Sequence, residues 1–267
     1  SIGASTQLVL PINEIEQLSL SLGIDQTKIK ANIYSSRQLL DYLAQEGDSQ
    51  EAITLGATWA RNSLNRGLFP TAGMLNMIST SIAIPPSDVT YGKVTHKFRY
   101  YTPAPLDFIF SARTEIGALF AYGSTVDSPP YQNFYAGGLN SVRGFKQNTL
   151  GPRSYYTSGN SYQNNSSGGA YLLEGGFDMI FALPFLEDSR SVRSSIFLDY
   201  GNVFSDGCKS YEFRCSEFDL SELRYSLGVG FTWITALGPM SFAISSPLNN
   251  DAFDETETFQ FEIGNQF

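Results

Sequence analysis

The chain has 267 residues, of which 42% are hydrophobic, 14% aromatic and only 16% charged, and its net charge is −9. A soluble enzyme of this size normally carries more Lys and Glu, and an acidic chain lacks the basic surface that a nucleic-acid partner calls for. No stretch reaches the roughly 20 apolar residues of a membrane-crossing helix, and no signal peptide is read at the start, so the chain is expected to be a mature segment.

Taken in order, the chain is dominated by alternation with a period of two, the mark of a strand. After a short turn at 11–14 (PINE) and a long connection at 25–50, EAITLGATWAR sets Ile53, Leu55, Ala57 and Trp59 against Thr54, Gly56 and Thr58. YGKVTHKFRYY sets Val94, Phe98 and Tyr100 against Lys93, Thr95, Lys97 and Arg99, and a turn follows at 103–107. DFIFSARTEIGALF sets Phe108, Phe110, Ala112 and Ile116 against Ser111, Arg113, Glu115 and Gly117. A long connection at 123–169 contains FYAGGLNSVRGFKQNTLGP, too polar and glycine-rich for a helix and too broken for a strand, with Arg143 held between Val142 and Gly144-Phe145. In LLEGGFDMIF, Phe177, Met179 and Phe181 face one way, which leaves Asp178 on the other face. Beyond a short acidic turn at 184–190, read as solvated surface, SSIFLDYGNVF sets Ile196, Leu198 and Tyr200 against Asp199. The connection at 205–221 holds both cysteines, Cys208 and Cys215; a small disulfide, implying an oxidising compartment, is expected over two free thiols. ELRYSLGVGFTWI sets Leu223, Tyr225, Leu227, Val229, Phe231 and Trp233 against Arg224, Ser226, Gly228, Gly230 and Thr232. After a turn at 237–239, PMSFAIS sets Met240, Phe242 and Ile244 against small residues, and the closing FQFEIGNQF sets Phe259, Phe261, Ile263 and Phe267 against Gln260, Glu262, Gly264 and Gln266.

A soluble β-sandwich alternates too. Three features favour a membrane barrel instead: a polar face with charge but few apolar residues, strands of about ten residues with outward aromatics, and connections that alternate short and long. The expected fold class is therefore all-β, a transmembrane antiparallel barrel of about eleven strands forming a single domain over residues 1–267. An odd number of antiparallel strands cannot close on itself, which points to part of a larger barrel.

The segments YAGGLNSVRGF, NTLGP, FLDYGNVF, ALGPMSFAIS and FQFEIGNQF, in this order, resemble the BamA family of outer-membrane assembly proteins, as do LVLPINEIEQLSLSLGI and RGLFPTAGM. The resemblance implies a sixteen-stranded barrel preceded by periplasmic POTRA domains, of which this chain would be the C-terminal portion. It also implies that the 123–169 connection is an extracellular loop whose VRGF, Val142 to Phe145, folds into the lumen. There Arg143 would meet the inward acids Asp178 and Asp199, rather than wave from a mobile surface loop; the planar guanidinium suits two acceptors. Gly144 would allow a sharp turn and Phe145 would pack on the inner wall. Phe259, Phe261, Ile263 and Phe267 resemble the terminal signal by which outer-membrane proteins are recognised, beside the plainer reading of a lipid-facing strand. Gly264 is the expected kink.

An enzyme reading finds little support. The single histidine, His96, lies with Val94 and Phe98 on the apolar face, where a lipid-interface role is expected over a catalytic base. No metal-ligand set, cofactor site or phosphate-binding glycine loop is read. The resemblance implies assembly and insertion of outer-membrane barrels, with unfolded clients, accessory lipoproteins and the lipid bilayer as partners and no nucleic acid. The alternatives are a two-partner secretion pore plugged by the same loop and, further off, a plain porin or outer-membrane enzyme.

Overall fold

The computed structural model describes residues 1–32, 35–155, 166–183, 191–236 and 238–264. The turn at 184–190, the central part of the long loop and Phe267 lie outside them.

Alternating sequence becomes strand where the backbone bonds of each segment are taken up by its neighbours. The strands are β1 (Ile2–Pro11), β2 (Glu16–Lys28), β3 (Ser49–Asn62), β4 (Gly73–Ile84), β5 (Tyr91–Pro103), β6 (Ile109–Ala121), β7 (Arg153–Ser154), β8 (Tyr171–Phe181), β9 (Val192–Phe204), β10 (Glu212–Arg214), β11 (Arg224–Thr235), β12 (Gly238–Pro247) and β13 (Phe259–Ile263). Eleven of them form one sheet in the order β1-β2-β3-β4-β5-β6-β8-β9-β11-β12-β13, each antiparallel to its neighbours. Among the described residues β1 and β13 are free edges, so the sheet is open, as the odd strand count requires. The remaining two strands, β7 and β10, form a small ribbon.

Register carries the alternation across the sheet. Leu55 stands opposite Leu22 and Ile82, and Val229 opposite Ile196 and Ile244. The resulting outer face exposes Leu22, Leu55, Ile82, Ile116, Phe177, Ile196, Val229, Trp233, Phe259 and Phe261. Aromatic pairs run along it, with Phe110 and Phe177 stacked at 6.1 Å and Phe242 and Phe261 tilted at 4.9 Å. An apolar surface this continuous is unstable in water and is what a bilayer requires of a barrel. No described helix is long and apolar enough to cross a membrane. His96 lies on this face, opposite Ile78 and Ile116, with its Nε2 2.8 Å from Asn76 Oδ1.

The connections sort mostly by length. Residues 12–15 and 104–108 turn tightly at one end, while 29–48, 122–170, 205–223 and 248–258 are long at the other. One pair inverts the rule: 63–72 at the turn end is longer than 85–90 at the loop end. The first long loop contains a helix that alternation does not announce, α1 (Arg37–Glu46). Its signals are local. Ser36 Oγ caps the Leu39 amide, and Gly47 at φ +85° ends it. One residue departs from the expected pattern. Leu223 is buried at the end of a 3-10 turn rather than outward on β11, because its carbonyl and that of Glu222 accept bonds from Asn249 and Asn202 before the strand begins at Arg224.

Candidate functional site

The inner face collects polar residues and receives the long loop. On β6, Ser111, Arg113 and Glu115 point inward; on β8, Glu174 and Asp178; on β9, Phe197 and Asp199. Register puts Asp178 opposite Ser111 and Phe197, and Asp199 opposite Gly176 and Ser226. Gly176 separates Arg113 from Asp199 along one row. A side chain there would collide with Asp199 Oδ1, so the glycine opens the path by which Arg113 Nη2 reaches Asp199 Oδ1 at 3.0 Å.

The loop brings Arg143 onto this row. Its Nε donates to Asp199 Oδ2 at 2.6 Å and its Nη2 to Asp199 Oδ1 at 2.8 Å, a bidentate pair, while Nη2 also meets Asp178 Oδ1 at 3.0 Å. The Arg143 amide donates to Asp199 Oδ2 at 3.1 Å. The guanidinium lies 3.4 Å above the centre of the Phe197 ring, a favourable seat for a delocalised cation. Asp199 is fully buried (0% exposed) and serves two arginines, whereas the Arg143 side chain is 12% exposed. Removing one partner from such a set strands a buried charge, although the intact set need not add net stability.

The flanking residues explain the spacing of the motif. Val142 is buried above Gly201, where any side chain on Gly201 would meet Val142 Cγ2 at 2.9 Å. Gly144 has φ +91°, a conformation that favours glycine, and a Cβ there would press on Ser245 and Ser226 at 3.2 and 3.3 Å. Phe145 is fully buried in a cluster with Ala136, Val142, Leu150, Leu172 and Val203, and burying such a ring is worth roughly 2–3 kcal/mol.

The loop also reaches the last strand. Gln260 on β13 accepts from the Gly144 amide at 3.1 Å and donates to the Phe145 carbonyl at 2.8 Å. Asn140 donates to Glu262 at 2.9 Å. Gln260 and Glu262 alternate with Phe259, Phe261 and Ile263, whose side chains are exposed on the outer face. Among the described residues the register with β12 runs to Ile263, and Gly264 follows at φ +143° with its amide on the Pro239 carbonyl.

Sequence reasoning singled out Arg143, Asp178 and Asp199, which are in contact here. It did not name Arg113, Phe197 or Gln260 as their companions. The signal was present for all three: each sits on the inward parity of its strand. The cysteines Cys208 and Cys215 are joined by a disulfide in the loop that carries β10. With Glu217 they are the one group of potential metal ligands close together among the described residues, and both sulfurs are committed to the bond. In the same loop Lys209 donates to Asp127 at 2.7 Å, and that hydrogen bond raises the lysine above its ordinary pKa.

The family model of the Omp85 superfamily domain matches residues 1–267. The chain is 31% identical to outer membrane protein assembly factor BamA of Neisseria meningitidis serogroup B over 99% of its length, which is 36% of that relative. It is 28% identical to the mouse sorting and assembly machinery component 50 homolog over 63% of the chain and 35% of the relative. The crystal structure of BamA from Haemophilus ducreyi lacking POTRA domains 1–3 superposes with a TM-score of 0.85 at 27% identity, covering 97% of this chain and 53% of that one. The chain thus spans about a third of the length of the curated relatives it matches. Its eleven-stranded open sheet with an apolar outer face is part of an outer-membrane barrel, and the chain belongs to the Omp85 superfamily.

Proposed function

We propose that this chain forms the C-terminal part of a barrel that assembles and inserts β-barrel proteins into the bacterial outer membrane. Unfolded client proteins supply the incoming strands, and accessory lipoproteins complete the complex. The reading rests on the names of the relatives together with one observation: the loop pinned by Arg143 to β8 and β9 also holds β13 through Gln260.

The mechanism follows from that coupling. Among the described residues strand β13 has only five paired residues, and beyond them a single backbone bond, from the Gly264 amide to Pro239, reaches β12. A short strand with a free edge offers unpaired amides and carbonyls to another chain. The loop holds the inner side of this strand still while its outer side faces lipid. A client strand that pairs at such a lateral gate satisfies its backbone and then buries its apolar face in lipid, which supplies the driving force without ATP or covalent chemistry. Asp178, Asp199, Gly144 and Phe145 act as positioning residues in this scheme. Phe259, Phe261 and Ile263, with Phe267, serve the chain's own recognition and insertion.

Reconstitution of the full-length protein into liposomes tests the proposal by scoring two products. Accelerated folding of a barrel client supports it. Release of a secreted passenger into the liposome lumen without client folding would instead establish the two-partner secretion pore.

A further inference from the structure

At the turn end, inside the sheet, lies a cavity of about 420 Å³ between the 63–72 connection, the inner face of β5 and β6, and the start of β9. Four arginines line it, Arg66, Arg99, Arg143 and Arg193, against one carboxylate among the described residues, Asp178. That carboxylate is already engaged by Arg143 at 3.0 Å and by Ser195 at 3.2 Å. Arg66, Arg99 and Arg193 have no carboxylate within 4.0 Å among the described residues, whereas the neighbouring inward cations Lys97 and Arg113 each have one.

Arg193 is the most telling of the three. Its guanidinium donates to the Pro70 carbonyl and lies over Phe69 at 5.1 Å and Tyr101 at 5.5 Å. Phe69 holds its place at φ +49°, a strained backbone for an aromatic residue. Tyr101 also hydrogen-bonds Arg193, and Asp178 attracts it from a distance, yet among the described residues no carboxylate pairs with it within 4.0 Å, so this partly buried cation keeps N–H groups to spare. Arg99 adds to the imbalance. It stands directly opposite Arg113 across β5 and β6, an unfavourable like-charge pair, and of these two only Arg113 reaches Asp199. Arg143 contributes as well: its Nε and Nη2 take the two aspartates, and its Nη1 makes no hydrogen bond among the described residues.

We propose that this cavity binds a phosphate group, carried either by a soluble phosphate compound or by the headgroup of an anionic lipid. A phosphate offers three oxygens and up to two negative charges, which several guanidinium forks can share; a carboxylate offers two oxygens and one charge. The cavity lies within the 300–1,000 Å³ typical of small-ligand sites. Its remaining walls, Leu75, Tyr101 and Ile180, accept the apolar or ring part of the bearer. The site shares Arg143 and Asp178 with the assembly reading but does not rest on it, and its test reads binding alone.

The experiment uses the purified full-length protein in detergent micelles. Inorganic pyrophosphate is titrated by calorimetry, and diheptanoyl phosphatidic acid by native mass spectrometry. Saturable binding of one equivalent of either probe is expected, and the probe that binds names the source. Arg193→Gln should weaken it about tenfold and Arg99→Gln about threefold, while Lys146→Gln at the opposite end leaves it unchanged. Arg99 is exposed, so Arg99→Gln serves even if Arg193→Gln fails to fold. Absence of saturable binding by both probes, or equal binding by wild type and Arg99→Gln, overturns the proposal.

Discussion

Two knots of arginine and carboxylate hold the loops of this protein, and they are built in opposite ways. The inner knot joins Arg143 and Arg113 to Asp178 and Asp199, which sit on neighbouring strands two positions out of step. The outer knot, at the loop end, joins Arg214 and Arg224 to Glu222, Asp251 and Asp254. Arg153 lies beside it, fully buried, donating to the carbonyls of Thr149 and Phe253. In the inner knot both acids are fixed by strand register and only the loop has freedom. In the outer knot all three acids come from connections, and each is placed by the others. A charge cluster on strands is thus a rigid socket, whereas one on loops is a mutual clamp, and the two should fail differently.

The largest expected effect is at the socket. Among the described residues Arg143→Ala leaves Asp178 without an ion pair and Asp199 with only Arg113, a loss of about 3–5 kcal/mol of local stability. Limited proteolysis should then cut within 137–152, and client folding should fall. A variant with wild-type protease protection and activity would show that the loop is held by Phe145 and its cluster instead. At the clamp, Asp254→Asn weakens bonds to two arginines and should cost about 2–3 kcal/mol. Hydrogen exchange should rise across β7, β10 and 248–258 together while β8 and β9 stay protected. Exchange confined to one segment would show that the clamp is not mutual.

Smaller changes sharpen the contrast. Replacing Cys208 and Cys215 by Ser opens a short loop and should cost about 2 kcal/mol, felt in the ribbon and not at Arg143. Gly144→Ala forces a side chain into a positive φ and against Ser226 and Ser245, at about 1–2 kcal/mol; it should lower loop protection without altering the disulfide region. The smallest effect is a pH response of the Lys209–Asp127 contact. Because the folded-state pKa of Lys209 is raised, its contribution is complete below the ordinary lysine value of 10.5 and fades as pH climbs through the raised one. Ribbon amides corrected for intrinsic exchange should lose protection there, and Lys209→Gln should abolish the response.

Much of this could be read from residue order because barrel strands alternate without interruption. Asp178 lies between Phe177 and Met179, and Asp199 between Leu198 and Tyr200, so the face of each follows from parity alone. The outer knot offers no such handle. Arg224 is on the inward parity of β11, yet Asp251 and Asp254 belong to no repeating pattern. Leu223 shows the same limit at a strand end, where side-chain bonds from Asn202 and Asn249 override the alternation. Helix α1 was legible in principle, from Ser36 and Gly47, but it lies in a loop where no period of two directs attention.

What residue order by itself determined was the side of the sheet each strand residue faces, the outward apolar band and the incomplete barrel that an odd strand count demands. Those properties depend on a two-residue period, which is local. Only the tertiary structure decided that Asp199 serves two arginines, that Phe197 lies beneath one of them, and that Gln260 ties the same loop to the last strand. These contacts join segments as far as 116 residues apart, and no local period specifies where a returning loop comes to rest.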